Sequence, residues 1–142
     1  MKRLLLSACA LVLIAGPACA QVGMGQVKAR YSATYTACLN APAGQTTMGQ
    51  IVCIGDEFDR QNVALNTAYQ TSMGQLDPSG KASLQAAERA WMTFRDADCA
   101  SQGNQGLGTL QRVLANQCML NRTIERTVEL NDFPVNLAGP AG

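Results

Sequence analysis

A chain of 142 residues with eleven basic side chains, ten acidic ones and no histidine narrows the field at once. Its length suits one domain, and its balanced charge gives no basic surface for nucleic acid. The missing imidazole removes the commonest metal ligand, the usual general base and the axial ligand of most haem sites, so no metal or cofactor is expected.

The first twenty residues read as a signal peptide. Lys2 and Arg3 form a basic start, residues 4–15 form an apolar run broken only by Ser7, and Ala18-Cys19-Ala20 makes an A-x-A cleavage site before Gln21. The apolar run is shorter than the roughly 20 residues a membrane span requires. Cys9 lies too close to Arg3 to leave room for an insertion core. Cys19 has Gly16 where a lipid-attachment motif wants leucine. Cleavage after Ala20, releasing a periplasmic or secreted protein, is the expectation, with a lipidated Cys19 as the alternative. Loss of Lys2 and Arg3 then leaves nine basic residues against ten acidic ones. Cys38, Cys53, Cys99 and Cys118 remain. An even set of cysteines in a small exported chain predicts two disulfides.

Residues 21–47 read as an N-terminal arm and loop. The segment 27–39 is either a short helix or an irregular arm, with Tyr31 and Tyr35 four apart, and residues 40–44 form a breaker cluster. Thr46 or Thr47 can cap a helix from about residue 48 to 76, with Ile51, Ile54, Phe58, Leu65, Tyr69 and Leu76 at helical spacing. Asp77 then caps a second helix that has Pro78 at its first position and runs to about residue 100. Leu84, Ala87, Trp91 and Phe94 define its expected apolar face, leaving Glu88, Arg89, Arg95 and Asp96 towards solvent. A flexible glycine-bearing loop, 101–108, precedes a third helix with Leu110, Val113, Gln117, Leu120 and Ile124 on one face. The helical domain is placed at 48–131 and a flexible tail at 132–142.

The expected fold is therefore all-α, an antiparallel helical hairpin plus a third packed helix, stapled by two disulfides. Cys53 and Cys99 lie at matching distances from the turn near residue 77, which points to a Cys53–Cys99 bond and, by exclusion, Cys38–Cys118. Pairing of sequence neighbours, Cys38–Cys53 and Cys99–Cys118, is the competing connectivity.

Several of these residues form a pattern. Cys53, Leu65-Asn66, Tyr69, Glu88-Arg89-Ala90-Trp91, Phe94-Arg95-Asp96, Cys99, Cys118, Thr123, Arg126 and Leu130 together resemble the LprI-type lysozyme inhibitor family of small exported bacterial proteins. Asn62 stands where that family usually has aspartate, and Glu88 where glutamine is usual. The resemblance implies a helical, disulfide-bonded, exported binding protein whose partner is a protein, lysozyme being the one the family name gives. The alternative is an envelope structural or stress-related interaction module without lysozyme affinity. A third reading is a small-molecule carrier using an apolar groove near Trp91.

Among candidate sites, Gln102, Asn104 and Gln105 of the loop offer polar donors to a partner, or the loop simply connects two helices. Arg95, Asp96 and Asp98 form either a recognition patch or part of a structural ion-pair set in which Arg95 or Arg89 meets Asp56, Glu57 or Asp59. Asn66 and Tyr69 are expected to reach the third helix with hydrogen bonds. No nucleophile motif, phosphate loop or Cys-x-x-Cys is present in the sequence, so no catalytic residue is assigned and the chain is read as a non-enzyme.

Overall fold

The computed structural model describes residues 22–133. The leader at 1–20, with Cys9 and Cys19, and residues 134–142 of the expected tail lie outside the described residues. Among the described residues are five α-helices, α1 (Met24–Lys28), α2 (Ala33–Asn40), α3 (Thr47–Gly74), α4 (Pro78–Gln102) and α5 (Leu110–Asp132), with a 3-10 turn at Pro42–Gln45 before α3. No strand occurs among the described residues.

Local chemistry sets the helix starts. Ser32 opens α2 by accepting from the Tyr35 amide at 3.0 Å, and Thr46 opens α3 by accepting from the Gly49 amide at 3.0 Å. Asp77 opens α4 by accepting from the Gly80 amide at 2.7 Å, with Pro78 in the first turn, where its missing N–H has no intrahelical partner to lose. Two glycines let the entry to α3 fold tightly. A Cβ on Gly44 would sit 2.0 Å from the Cys38 carbonyl oxygen, and one on Gly49 would sit 1.8 Å from that of Ala43.

The core is organised around α5. It packs extensively on α3 and to a lesser degree on α4, while α3 and α4 meet each other least. Cys118, Leu120, Thr123, Ile124, Thr127, Val128 and Leu130 are its buried residues. One apolar cluster joins Val27, Tyr35, Cys53, Ile54, Leu120 and Ile124; a second, containing Leu76 and so near the α3–α4 turn, joins Ala68, Leu84 and Leu130. The N-terminal arm is thus part of the main core, through the fully buried Val27 and Tyr35. Where the tail was expected to begin, Asp132 still belongs to α5 and Phe133 packs against the second cluster.

The disulfides are Cys38–Cys53 and Cys99–Cys118, with Cα separations of 5.8 and 5.4 Å. This corrects the expected Cys53–Cys99 and Cys38–Cys118 pairing. Matching heights on a hairpin bring residues together only if the two arms touch. Here α5 supplies the partner of α4, so Cys99 meets Cys118, and Cys53 meets Cys38 of α2.

A polar knot fastens the arm. Glu57 on α3 is fully buried and accepts from the Ser32 amide (3.0 Å), Ser32 Oγ (2.6 Å), Arg60 Nε (2.9 Å) and Gln61 Nε2 (2.8 Å). Burial on its own pushes this carboxyl up, but the four donors together outweigh it and hold the group below its ordinary value of 4.5. Beside it, Tyr31 donates to Asn121 Oδ1 at 2.6 Å and Tyr35 donates to Gln117 Oε1 at 2.8 Å, which ties the arm to α5. Burial, reinforced by Tyr35 and Glu57, pushes the Tyr31 phenol up to about 12.

Two groups of predictions arise from this architecture, the first concerning the disulfides. Proteolysis of the unreduced protein is expected to release linked peptides containing Cys38 with Cys53 and Cys99 with Cys118. Replacing Cys99 and Cys118 by alanine is expected to cost about 3 kcal/mol in a denaturant melt, as expected for closure of a loop this short. The second concerns acid. A carboxyl with a depressed native pKa stabilises the fold above its unfolded value, and that stabilisation is lost as pH falls through the native value. Glu57→Gln should therefore destabilise by about 2 kcal/mol near neutral pH. Its gap to the wild type should close below pH 4.5, read as denaturant midpoint against pH.

Candidate functional site

The Trp91-bearing run of α4 was expected to bury Ala87 and Phe94, yet both are exposed, Phe94 by 56%. The face that turns inward instead carries Leu84, Glu88, Trp91, Arg95 and then Asp98 with Cys99, at alternating spacings of four and three. The cause lies opposite, on α5. Arg122 and Arg126 project from that helix towards α4, and a guanidinium enters an interface only where carboxylates meet it. Glu88 and Asp98 supply them, so the helix rotates its charges inward and Phe94 outward.

The seam is extensively paired. Arg126 Nε donates to Glu88 Oε1 at 2.7 Å, a second guanidinium nitrogen reaches the same oxygen, and a third donates to Glu129 at 2.8 Å. Arg122 pairs with Asp98 at 3.0 Å and with Glu125 at 2.9 Å. For Arg126, burial pulls the pKa down but the two carboxylates more than restore it; for Arg122, the hydrogen bond to Glu125 leads the rise. Trp91 sits among these cations, with the Arg95 guanidinium 5.0 Å and that of Arg126 6.0 Å from its ring centroid. Arg95 also lies 6.0 Å from the Phe58 ring and pairs with its neighbour Asp96 at 2.8 Å. The expected ion pair from Arg95 or Arg89 to Asp56, Glu57 or Asp59 does not occur among the described residues: Glu57 is taken up by the arm and its own helix, and Arg95 lies over aromatic rings and pairs with Asp96.

Between α3 and α4 runs a groove of about 320 Å³, lined by Leu65, Asn66 and Tyr69 from one helix and Gln85, Glu88, Arg89, Trp91 and Met92 from the other. Leu65, Asn66, Tyr69, Arg89 and Trp91, scattered in sequence, therefore share one surface. Asn66 is exposed there, and the buried polar tie between α3 and α5 is instead Ser72 Oγ donating to the Leu130 carbonyl at 2.9 Å. Thr123 is fully buried and donates to the Met119 carbonyl at 2.9 Å within α5.

The second feature is the loop between α4 and α5. Asn104 and Gln105 are exposed on it, whereas Gln102 ends α4 and is half-buried beside Leu114, Gln117 and Arg122. Gly106 and Gly108 hold φ of +70° and +60°, a left-handed backbone that glycine adopts freely. At the base of the loop, the buried Cys99–Cys118 bond joins residues 19 apart in sequence. Asp98, Cys99 and Cys118 bring ligand-type atoms within 4.8 Å of one another, but both sulfurs are committed to the disulfide and offer no thiolate.

Ser32, Asn121 and Arg122 carry no role in the sequence reading, and Gln117 is placed there only on the packing face of the third helix, not as the partner of Tyr31 and Tyr35. For Arg122 a signal existed, since Arg122, Glu125, Arg126 and Glu129 repeat an i, i+3 charge pair along α5. None marked Ser32, whose partner lies 25 residues away.

Comparison with known proteins adds identity to this geometry. The chain is 25% identical over 96 residues to the uncharacterized protein R02472 of Rhizobium meliloti (strain 1021), an alignment covering 58% of this chain and 69% of that protein. No solved structure matches. The family model described as lysozyme inhibitor LprI matches residues 38–130. That match opens on Cys38 and closes on Leu130, taking in both disulfides, the seam and the groove. The chain belongs to the LprI lysozyme inhibitor family.

Proposed function

We propose that this protein is an exported binding protein that inhibits lysozyme by masking its cleft. The observation that carries the reading is the family match over residues 38–130. Among the described residues no helix is long and apolar enough to cross a membrane.

The loop between α4 and α5 is the element best suited to the contact. Lysozyme is a cationic enzyme with two carboxyls in its cleft, and blocking it calls for donors presented on something that already holds its shape. Asn104 and Gln105 are exposed carboxamides on a segment whose base is bound covalently, so little ordering is left to be done on binding. Gln102, held at the helix end, supports the base rather than the tip. Mature charge of one net negative gives weak long-range attraction to a cationic enzyme, so affinity rests on contacts more than on steering.

The test is a muramidase assay with purified lysozymes of different classes at physiological salt. Stoichiometric inhibition by the wild type is expected. A double substitution, Asn104→Ala with Gln105→Ala, is expected to weaken it about tenfold, as loss of two interfacial hydrogen bonds implies, with the thermal midpoint unchanged. Absence of inhibition at large molar excess against every class tested refutes the proposal.

A further inference from the structure

The groove between α3 and α4 plays no part in the loop's proposed contact, and its chemistry is distinct. Leu65, Tyr69, Trp91 and Met92 make its walls apolar, and Met92 is 44% exposed. Glu88, the acid within it, is neutralised by Arg126 from behind. Arg89 lines it and is exposed, and among the described residues no carboxylate pairs with it, in contrast to Arg60, Arg95, Arg122 and Arg126. An apolar channel beside one uncompensated cation is complementary to a molecule with an apolar body and a single anionic head. The volume, about 320 Å³, falls at the small end of ligand sites. That suits a free chain of medium length rather than a bilayer lipid with two tails. Trp91 has guanidinium groups over its ring already, which leaves the groove to a flexible aliphatic chain better than to a stacked flat ring.

We infer that the α3–α4 groove binds a medium-chain alkyl carboxylate, its chain along Leu65, Tyr69, Trp91 and Met92 and its carboxylate at Arg89. The inference does not depend on lysozyme inhibition.

Trp91 is the sole tryptophan and lines the groove, so its fluorescence reports occupancy directly. The oxidised full-length mature protein is titrated with sodium decanoate below its micelle threshold, with octanoate and neutral decanol as comparisons. Saturable one-to-one change with decanoate is expected. Octanoate should bind about tenfold more weakly, the effect of two fewer buried methylenes. Decanol should bind at least fivefold more weakly than decanoate. Arg89→Gln, at an exposed helix position, should bring decanoate down to the level of decanol while leaving the melting temperature unchanged. No saturable response to decanoate overturns the inference. So does equal binding of decanol and decanoate to the wild type, or decanoate affinity untouched in Arg89→Gln.

Discussion

Two arginines on the last helix set the terms for much of this molecule. Arg122 and Arg126 point from α5 into the α4 interface, and each meets an acid of α4 and another three residues on in its own helix. Such pairs add little net stability, because desolvation offsets most of the attraction. Their effect is on orientation. Leaving a guanidinium there unmet costs far more than meeting it, so α4 can dock only with Glu88 and Asp98 facing inward. That rotation carries Trp91 into the seam, leaves Phe94 and Met92 towards solvent, and turns Cys99 onto Cys118.

The far side of α5 is held by different means. There a small apolar cluster is completed by the arm, and a fully buried carboxylate, Glu57, is met by donors from the arm and its own helix. Apolar burial and the Cys38–Cys53 bond supply the attraction, while Glu57 and the two tyrosines fix where the arm lies. The result is a bundle with two separate apolar clusters and covalent ties at the arm and at the α4–α5 loop.

What was legible in the sequence was local. Thr46, Asp77 and Pro78 announce helix starts through hydrogen bonds made within a few residues, and the long helices follow from them. The scattered motif residues Leu65, Asn66, Tyr69, Arg89 and Trp91 were identified one by one, and the fold places them on one groove. What failed was non-local. The α4 face was misjudged because charge was assumed to face water, an assumption that Arg122 and Arg126 overturn from 24 and 38 residues away. The disulfides were mispaired because a hairpin rule ignores a third helix serving both arms. Gln102 was grouped with Asn104 and Gln105 although α4 extends through it and draws it half into the surface.

Both functional readings depend on that docking: the loop's tied base and the groove's shape each follow from how α4 meets α5. The most direct measurement is a double-mutant cycle on Glu88→Ala and Arg126→Ala, followed by denaturant unfolding. The account predicts that the two losses are not additive, with a coupling of about 1 to 2 kcal/mol. Additivity within about 0.3 kcal/mol would mean that the pair does not set the interface, and the orientation of α4 would need another cause.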